Sequence, residues 1–594
     1  MCLPISSEVS LINDGENCLS GMDFYVPAYQ RPYSWGEDQI DDFLKTITDG
    51  FIEDKPAFFG TMQFDVVSSE LYVVDGQQRL TTMKLFMYVL SGLSGKISFN
   101  FRIKYNNMKD ADGLIGTLLT KDINSVPETT KTKQGKVDIN NINSIFEANI
   151  RMLKEKLLKY AQDDGRSQDK YASDLINYFG KKVYVVVLKT KGLSLPEVIN
   201  IFNTINTTGM DLNSEDIFKF QYYNYLQAND KQSTTPHNAD YWMEQINDCY
   251  NRVEDYNVGK PIKDHISMSD ILSVYQHCLC AKYETNYKIL AKSTERFFTD
   301  LFVDPSKYSD LLKFEEFNRL VNEYINFYDE LQENKYSVNK WHALSIELIK
   351  KTRYPRYWTT PYVYSFFKGN DEKTKAEALK IGYVLFSYLI VPSINYAKAI
   401  TPVHTFVCNE ILPAIAKNND VISKIKPVQW SNPYKPTNTE AKTSFNERLQ
   451  KNFYDNSKSG LICLLLALRV EDNVSLKNIK ERFFNWEIHP YDIEHIYSKD
   501  SFLNDTSFTD DDKEFFNGIG NLIVLDREIN RDMGRHQILL PADKYKHHQK
   551  YYDKSTYKIV RDFTPDLKDW NIDKVKKRCK DLLPIISDEL LIIE

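Results

Sequence analysis

The sequence contains no Gly-x-x-x-x-Gly-Lys-Ser/Thr stretch, which excludes the phosphate cradle of a P-loop NTPase. Cysteine is sparse: eight among 594 residues, with only Cys278 and Cys280 close together. That spacing excludes a zinc knuckle, and the scatter fits reduced, buried thiols rather than a disulfide framework. No apolar run reaches the ~20 residues of a membrane span. The longest are Ile381 to Val391 and Leu461 to Leu468. No signal peptide is visible behind Met-Cys-Leu-Pro, so a soluble cytoplasmic protein with no membrane partner is expected. Basic excess is missing too. The net charge of −7 excludes a uniformly basic surface, though not a local basic patch. There is no internal repeat.

What remains is an ordinary globular composition, 42% hydrophobic and 26% charged, on a chain too long for one core. The expected domains are 1–228, 229–440 and 441–594. In the first, Pro27 and Pro32 keep Phe24 to Tyr29 extended. Ile40, Phe43, Leu44 and Ile47 recur at helical spacing. Phe58 to Val67 and Leu71 to Val74 read as strands, and Arg79 to Leu93 as an apolar helix. Lys104 to Asn143 is polar and reads as an insertion. Ile145 to Tyr160 is an amphipathic helix, Lys182 to Leu188 a buried strand, and Leu195 to Asn206 and Ser214 to Ala228 are helices. From 230 to 440 nearly every segment is helical. Gln429 to Ser444, rich in Asn, Pro, Thr and Ser, reads as the last boundary.

The densest chemistry lies late in the chain. Asp492-Ile493-Glu494-His495-Ile496 is followed by Gly520-Asn521-Leu522 and then Asn530. Ile493 to Ile496 reads as a strand ending in the histidine, Leu522 to Leu525 as a return strand, and Ile529 onward as a helix carrying Asn530. Asp500 to Phe516, between the strands, reads as a polar loop. The carboxylates and the last asparagine are hard oxygen ligands of the kind Mg²⁺ takes. The histidine is left free to accept a proton from water. This order resembles the HNH nuclease superfamily. The resemblance implies a Mg²⁺ or Mn²⁺ held by Glu494 and Asn530, with Asp492 able to share that role. It also implies His495 as general base and Asn521 as the brace of its loop. Turn asparagines and a strand histidine are the competing reading.

A second constellation, Asp75-Gly76-Gln77-Gln78-Arg79, follows the strand Tyr72-Val73-Val74 and opens a helix. In such a turn, backbone N–H groups receive a phosphate. Gly76 permits the turn, Arg79 offers a fork for phosphate oxygens and Asp75 offers a carboxylate. Tyr29-Gln30-Arg31-Pro32-Tyr33 and Trp35 add a cation, an amide and rings able either to stack on a base or to cap a small core.

These segments, with Ile201 to Asn206, Gly209, Leu212, Asp216 and Lys219, resemble the ParB-like N-terminal domain of GmrSD-type restriction enzymes. That family places this domain before an HNH domain, as here. The resemblance implies an α+β fold: a ParB-like domain, a helical middle region and a C-terminal ββα-metal domain. It implies nucleotide binding at Gln30, Arg31, Asp75, Gly76, Gln77, Gln78 and Arg79, with GTP, ATP and UTP undistinguished. It further implies NTP-dependent, Mg²⁺-dependent cleavage of double-stranded, modified foreign DNA in bacterial defence. A homo-oligomer is left open. Two alternatives stand beside it: a nucleotide-dependent DNA sensor with a vestigial HNH fold, and an NTP-independent toxin that cleaves nucleic acid. Lys544, Lys546, Lys576, Lys577 and Arg578 are the candidate DNA contacts, against a solvated helix face. His536, His547 and His548 read as solvated rather than as a metal cluster.

Overall fold

A computed structural model of the chain describes residues 5–593 apart from 16–17, 28–29, 31–32, 68, 97–100, 106–118, 120–121, 128–143, 194–213, 231–236, 238–240, 334–338, 397, 436, 438–439, 472–473 and 485–489. The fold is mixed α/β and mostly helical. It forms two compact units: Met1–Leu272 with Thr294–Pro305, and Ser273–Ser293 with Ser306–Glu594. The expected boundaries near 228 and 440 fall inside these units.

The first unit is built on a six-stranded sheet ordered β1-β6-β3-β4-β2-β5. The strands are β1 (Ile5–Leu11), β2 (Asp23–Val26), β3 (Ala57–Val67), β4 (Glu70–Asp75), β5 (Arg102–Tyr105) and β6 (Val183–Lys191). β3 joins the halves, parallel to β6 and antiparallel to β4. Helix α1 (Glu37–Ile52) buries Ile40, Phe43, Leu44 and Ile47, the residues whose spacing marks it in the sequence. Helix α2 (Gln77–Ser94) is apolar almost all round and lies in the core, as such a helix must. Strands β1 and β5 escape sequence reading because β1 is largely exposed and β5 has four residues. Most of the polar insertion, and Leu195 to Leu212, lie outside the described residues.

In the second unit the helix Glu372–Asn395 is the centre of the helical core. It is long and apolar enough to cross a membrane, yet 89% of its apolar window is buried inside the protein. Gln429, at the expected linker, is buried and donates to the Ser387 carbonyl at 3.3 Å, so this stretch belongs to the unit. Farther on, β7 (Tyr491–His495) and β8 (Leu522–Asp526) pair antiparallel, Glu494 opposite Ile523. The helix Arg527–Arg535 follows directly.

The expected loop between these strands is two short helices, Lys499–Asn504 and Asp510–Phe516. A capping box between Thr509 and Asp512 starts the second. Phe502 and Phe516, stacked at 5.3 Å, anchor both. The helix Ile572–Pro584 seals the base of the hairpin. It approaches so closely that a Cβ on Gly520 would lie 2.3 Å from the Val575 carbonyl oxygen. Among the described residues Cys18 is half-buried and the other cysteines are free and buried.

Candidate active site

Successive side chains leave a strand on opposite faces. Asp492 and Glu494 therefore share one face of β7 and His495 leaves from the other. On the first face, Asp492 accepts from Arg527 Nε at 3.0 Å and from Asn530 Nδ2 at 3.3 Å. The helix Arg527–Arg535 supplies both partners within its first turn, and the Asn530 carbonyl oxygen is left for another ligand. Glu494 is engaged differently. Lys544 Nζ lies 2.5 Å from its Oε1, and the same ammonium donates to the carbonyls of His495 at 2.8 Å and Ile496 at 3.0 Å. The Lys544 side chain is 0% exposed.

On the second face, His495 is buried against Tyr454, ring centroids 4.3 Å apart. Asn517 Nδ2 donates to Asp455 at 2.8 Å, which turns the Asn517 amide so that its oxygen faces the ring. His495 Nε2 lies 3.0 Å from that oxygen. The imidazole therefore carries its proton on Nε2 and presents a bare Nδ1, the tautomer of a base. Burial pushes its pKa below the ordinary histidine value, ahead of the opposing effect of the Asn517 bond. Sequence reasoning missed Asn517 and Asp455. Neither carries a motif, and Asp455 meets Asn517 across 62 residues.

This geometry makes a pH prediction. A base must be neutral to act, and a lowered pKa keeps His495 neutral further into acid. The acid limb of kcat/KM for DNA cleavage should have its midpoint below the ordinary histidine value of ~6.5. A midpoint above that value would contradict the burial argument.

Asn521 is wholly buried and saturated. Its oxygen accepts from Tyr497 N at 2.8 Å and Trp570 Nε1 at 3.2 Å, and its nitrogen donates to Tyr497 O and Phe516 O at 2.9 Å. It has no capacity left for substrate. It is a positioning residue, tying both strand ends behind His495, rather than a catalytic one.

Two expected DNA contacts are turned inward. Lys544 is consumed by Glu494. Arg578 donates to the Gly520 and Leu522 carbonyls at 2.8 and 3.0 Å, closing the end of β8. Lys576 pairs with Asp512 at 2.6 Å, while Lys546 and Lys577 are exposed. His536 and His548 bond to Asp532 and Asp553, not to one another. His489 lies outside the described residues.

In the first unit, β4 runs through Asp75 and Gly76 into α2 as expected. Gly76 has φ +101°, a conformation that disfavours any side chain. A Cβ there would lie 2.8 Å from Met62 Cγ, so the close approach it permits is to Met62. Arg79 spends one nitrogen on Thr61 O at 2.6 Å and on Asp75 at 2.7 Å. Gln78 accepts from Ser34 N at 2.8 Å and Gln30 donates to Val74 O at 2.6 Å. Gln77 differs: it is 2% exposed, and neither its amide oxygen nor its nitrogen has a partner. An orphaned amide at a helix N-terminus fits a bound polar group.

Tyr33 is core. It stacks on Phe146 at 5.3 Å and bonds to Thr82 and Asn149, each at 2.8 Å, while Trp35 packs edge-on to Phe59. Arg31 and the run Ile201 to Leu212 lie outside the described residues. Lys219 is buried, its ammonium 4.7 Å from the Tyr250 ring centre.

Comparison with known proteins agrees with this division. Residues 10–223 match the model of the GmrSD restriction endonuclease N-terminal domain. Residues 439–585 match that of the GmrSD restriction endonuclease C-terminal domain. No curated protein matches the chain. The N-terminal match holds β2 through β6 and the Gln77 turn, and the C-terminal match holds the whole β7–β8 site, in that family's own order. The chain therefore belongs to the GmrSD restriction endonucleases, a family of enzymes that cut DNA.

Proposed function

We propose that the second unit is an HNH-type nuclease using His495 as general base, and that the β4–α2 turn of the first, ParB-like unit binds the NTP that controls it. One observation carries the nuclease half. A buried neutral histidine, fixed in its basic tautomer by Asn517 and Asp455, sits next in sequence to an oxygen-rich face. His495 Nδ1 takes a proton from water, whose oxygen attacks phosphorus as the P–O bond to the leaving sugar oxygen breaks. Asn521 and Tyr454 hold the ring in place.

The donor set on the other face suits a hard cation. Asp492 and Asn530 converge within 3.3 Å, and one or two such ligands suffice for an ion that keeps most of its waters. Glu494 would join them only after parting from Lys544. Held there, a Mg²⁺ or Mn²⁺ would supply positive charge to the phosphate and the leaving oxygen.

Gln77 supports the nucleotide half, with Arg79 and Asp75 beside it. The substrate assigned is double-stranded, modified foreign DNA, in line with the family. Cleavage of matched modified and unmodified DNA with ATP, GTP and UTP in turn tests the assignment. One NTP should be required, and Arg79→Ala should abolish its hydrolysis. Normal hydrolysis by that variant would sink the NTP half and leave the nuclease half standing.

The vestigial-sensor reading has one observation in its favour. Glu494 is neutralised by Lys544, and among the described residues no three His, Cys, Asp or Glu side chains form a metal-ligand group. Binding without cleavage in every NTP and divalent metal would select it.

A further inference from the structure

The second unit holds a cleft of about 550 Å³ that meets the site above at Asp455. Its lining includes Arg353, Lys398, Arg448, Tyr396, Tyr434 and Asp455. Three of these are cations, and all three are exposed. Among the described residues none of them has a carboxylate partner. Arg353 is held by neutral groups, donating to Ser393 O at 2.8 Å and Ser457 Oγ at 3.2 Å. Elsewhere in this unit surface lysines and arginines pair with carboxylates: half-buried Lys424 with Glu410 and Lys442 with Asp588, and exposed Arg469 with Glu589.

Among the described residues lining the cleft the one carboxylate, Asp455, is already shared between Asn517 at 2.8 Å and Lys499 at 3.3 Å. The cleft is therefore net positive. Tyr434 is 56% exposed, and its hydroxyl is tied to the Lys398 carbonyl at 2.9 Å, so its ring is held at the cleft. Unpaired cations tracking a groove with an aromatic face beside them form the usual receptor for a nucleic-acid strand. The position is as telling as the charge. Asp455 reaches His495 through Asn517, and its neighbour Tyr454 packs on the His495 ring. The cleft is thus lined by the carboxylate that, through Asn517, holds the base.

We infer that this cleft holds the sugar–phosphate backbone of DNA flanking the phosphate that the His495-activated water attacks, with Lys398, Arg448 and Arg353 on flanking phosphates and Tyr434 against a base. The inference rests on the nuclease reading, but its test does not require cleavage. Binding of a short fluorescent unmodified duplex is measured by anisotropy across a salt series, in chelator, with the full chain. Wild type, Lys398→Gln/Arg448→Gln and Lys546→Gln/Lys577→Gln are compared.

Each phosphate contact removed should lower the slope of log affinity against log salt by about one. The cleft variant should therefore lose about two in slope and about tenfold or more in low-salt affinity. It should keep wild-type thermal unfolding, because Lys398 and Arg448 make no ion pair among the described residues. An unchanged slope in the cleft variant overturns the inference, as does a loss confined to the Lys546/Lys577 variant, or a wild type that fails to bind this duplex at low salt. Absence of cleavage by wild type with every NTP and divalent metal would instead remove the nuclease reading while leaving these binding results intact.

Discussion

Replacing His495 with alanine is expected to slow DNA cleavage by ~10²–10⁴, the usual cost of losing a general base. NTP hydrolysis should be untouched, because the β4–α2 turn lies in the other unit. The fold should survive as well. Asn521 ties the strand ends without using the imidazole, and Asn517 keeps its bond to Asp455. The variant separates two explanations of a buried, hydrogen-bonded histidine. If His495 only fills space between Tyr454 and Phe502, alanine lowers thermal stability and leaves cutting proportional to folded protein. If it is the base, circular dichroism and melting stay close to wild type while cutting collapses. Near-wild-type cleavage by a preparation free of contaminating nuclease would remove His495 from the mechanism.

Lys544→Met is expected to cost the second unit about 3–5 kcal/mol, the penalty for leaving a partner charge buried and unpaired. Glu494 keeps only 17% of its side chain exposed, so bulk water compensates it poorly. Two carbonyls, those of His495 and Ile496, lose their donor at the same time. Equilibrium unfolding in urea gives the loss. The double variant Glu494→Gln/Lys544→Met should recover part of it, because neutralising the carboxylate removes the stranded charge. A loss below about 1 kcal/mol, the size typical of a surface pair, would show that this ion pair opens readily to solvent.

The parts legible in the sequence are those whose signal is local. The apolar spacing of Ile40, Phe43, Leu44 and Ile47 marks α1, the apolar run after Gln77 marks α2, and Leu522 to Leu525 marks a strand buried on both faces. The order of Asp492, His495, Asn521 and Asn530 is likewise visible. What escapes depends on approach between distant segments. Lys544 looks like a surface charge until it is found inside, 50 residues from Glu494. Arg578 looks like part of a basic stripe until its guanidinium caps the carbonyls of β8. Asn517 and Asp455 carry no pattern at all, yet they set the tautomer of His495. The helix Asp510–Phe516 is a different case. Thr509 and Asp512 spell its capping box in the sequence, and the run of aspartates, favourable at a helix start, reads as a polar loop only if the cap goes unnoticed.

That the β7–β8 site cuts DNA with a divalent ion is the proposal on which the rest depends. The direct measurement is conversion of supercoiled, modified plasmid by the full chain with NTP, titrated with Mg²⁺ and then with excess chelator. Cleavage should rise with Mg²⁺, stop in chelator, resume when Mg²⁺ is restored, and need more Mg²⁺ in Asn530→Ala. Cleavage that continues undiminished in chelator, or a Mg²⁺ requirement unchanged by Asn530→Ala, would contradict that proposal.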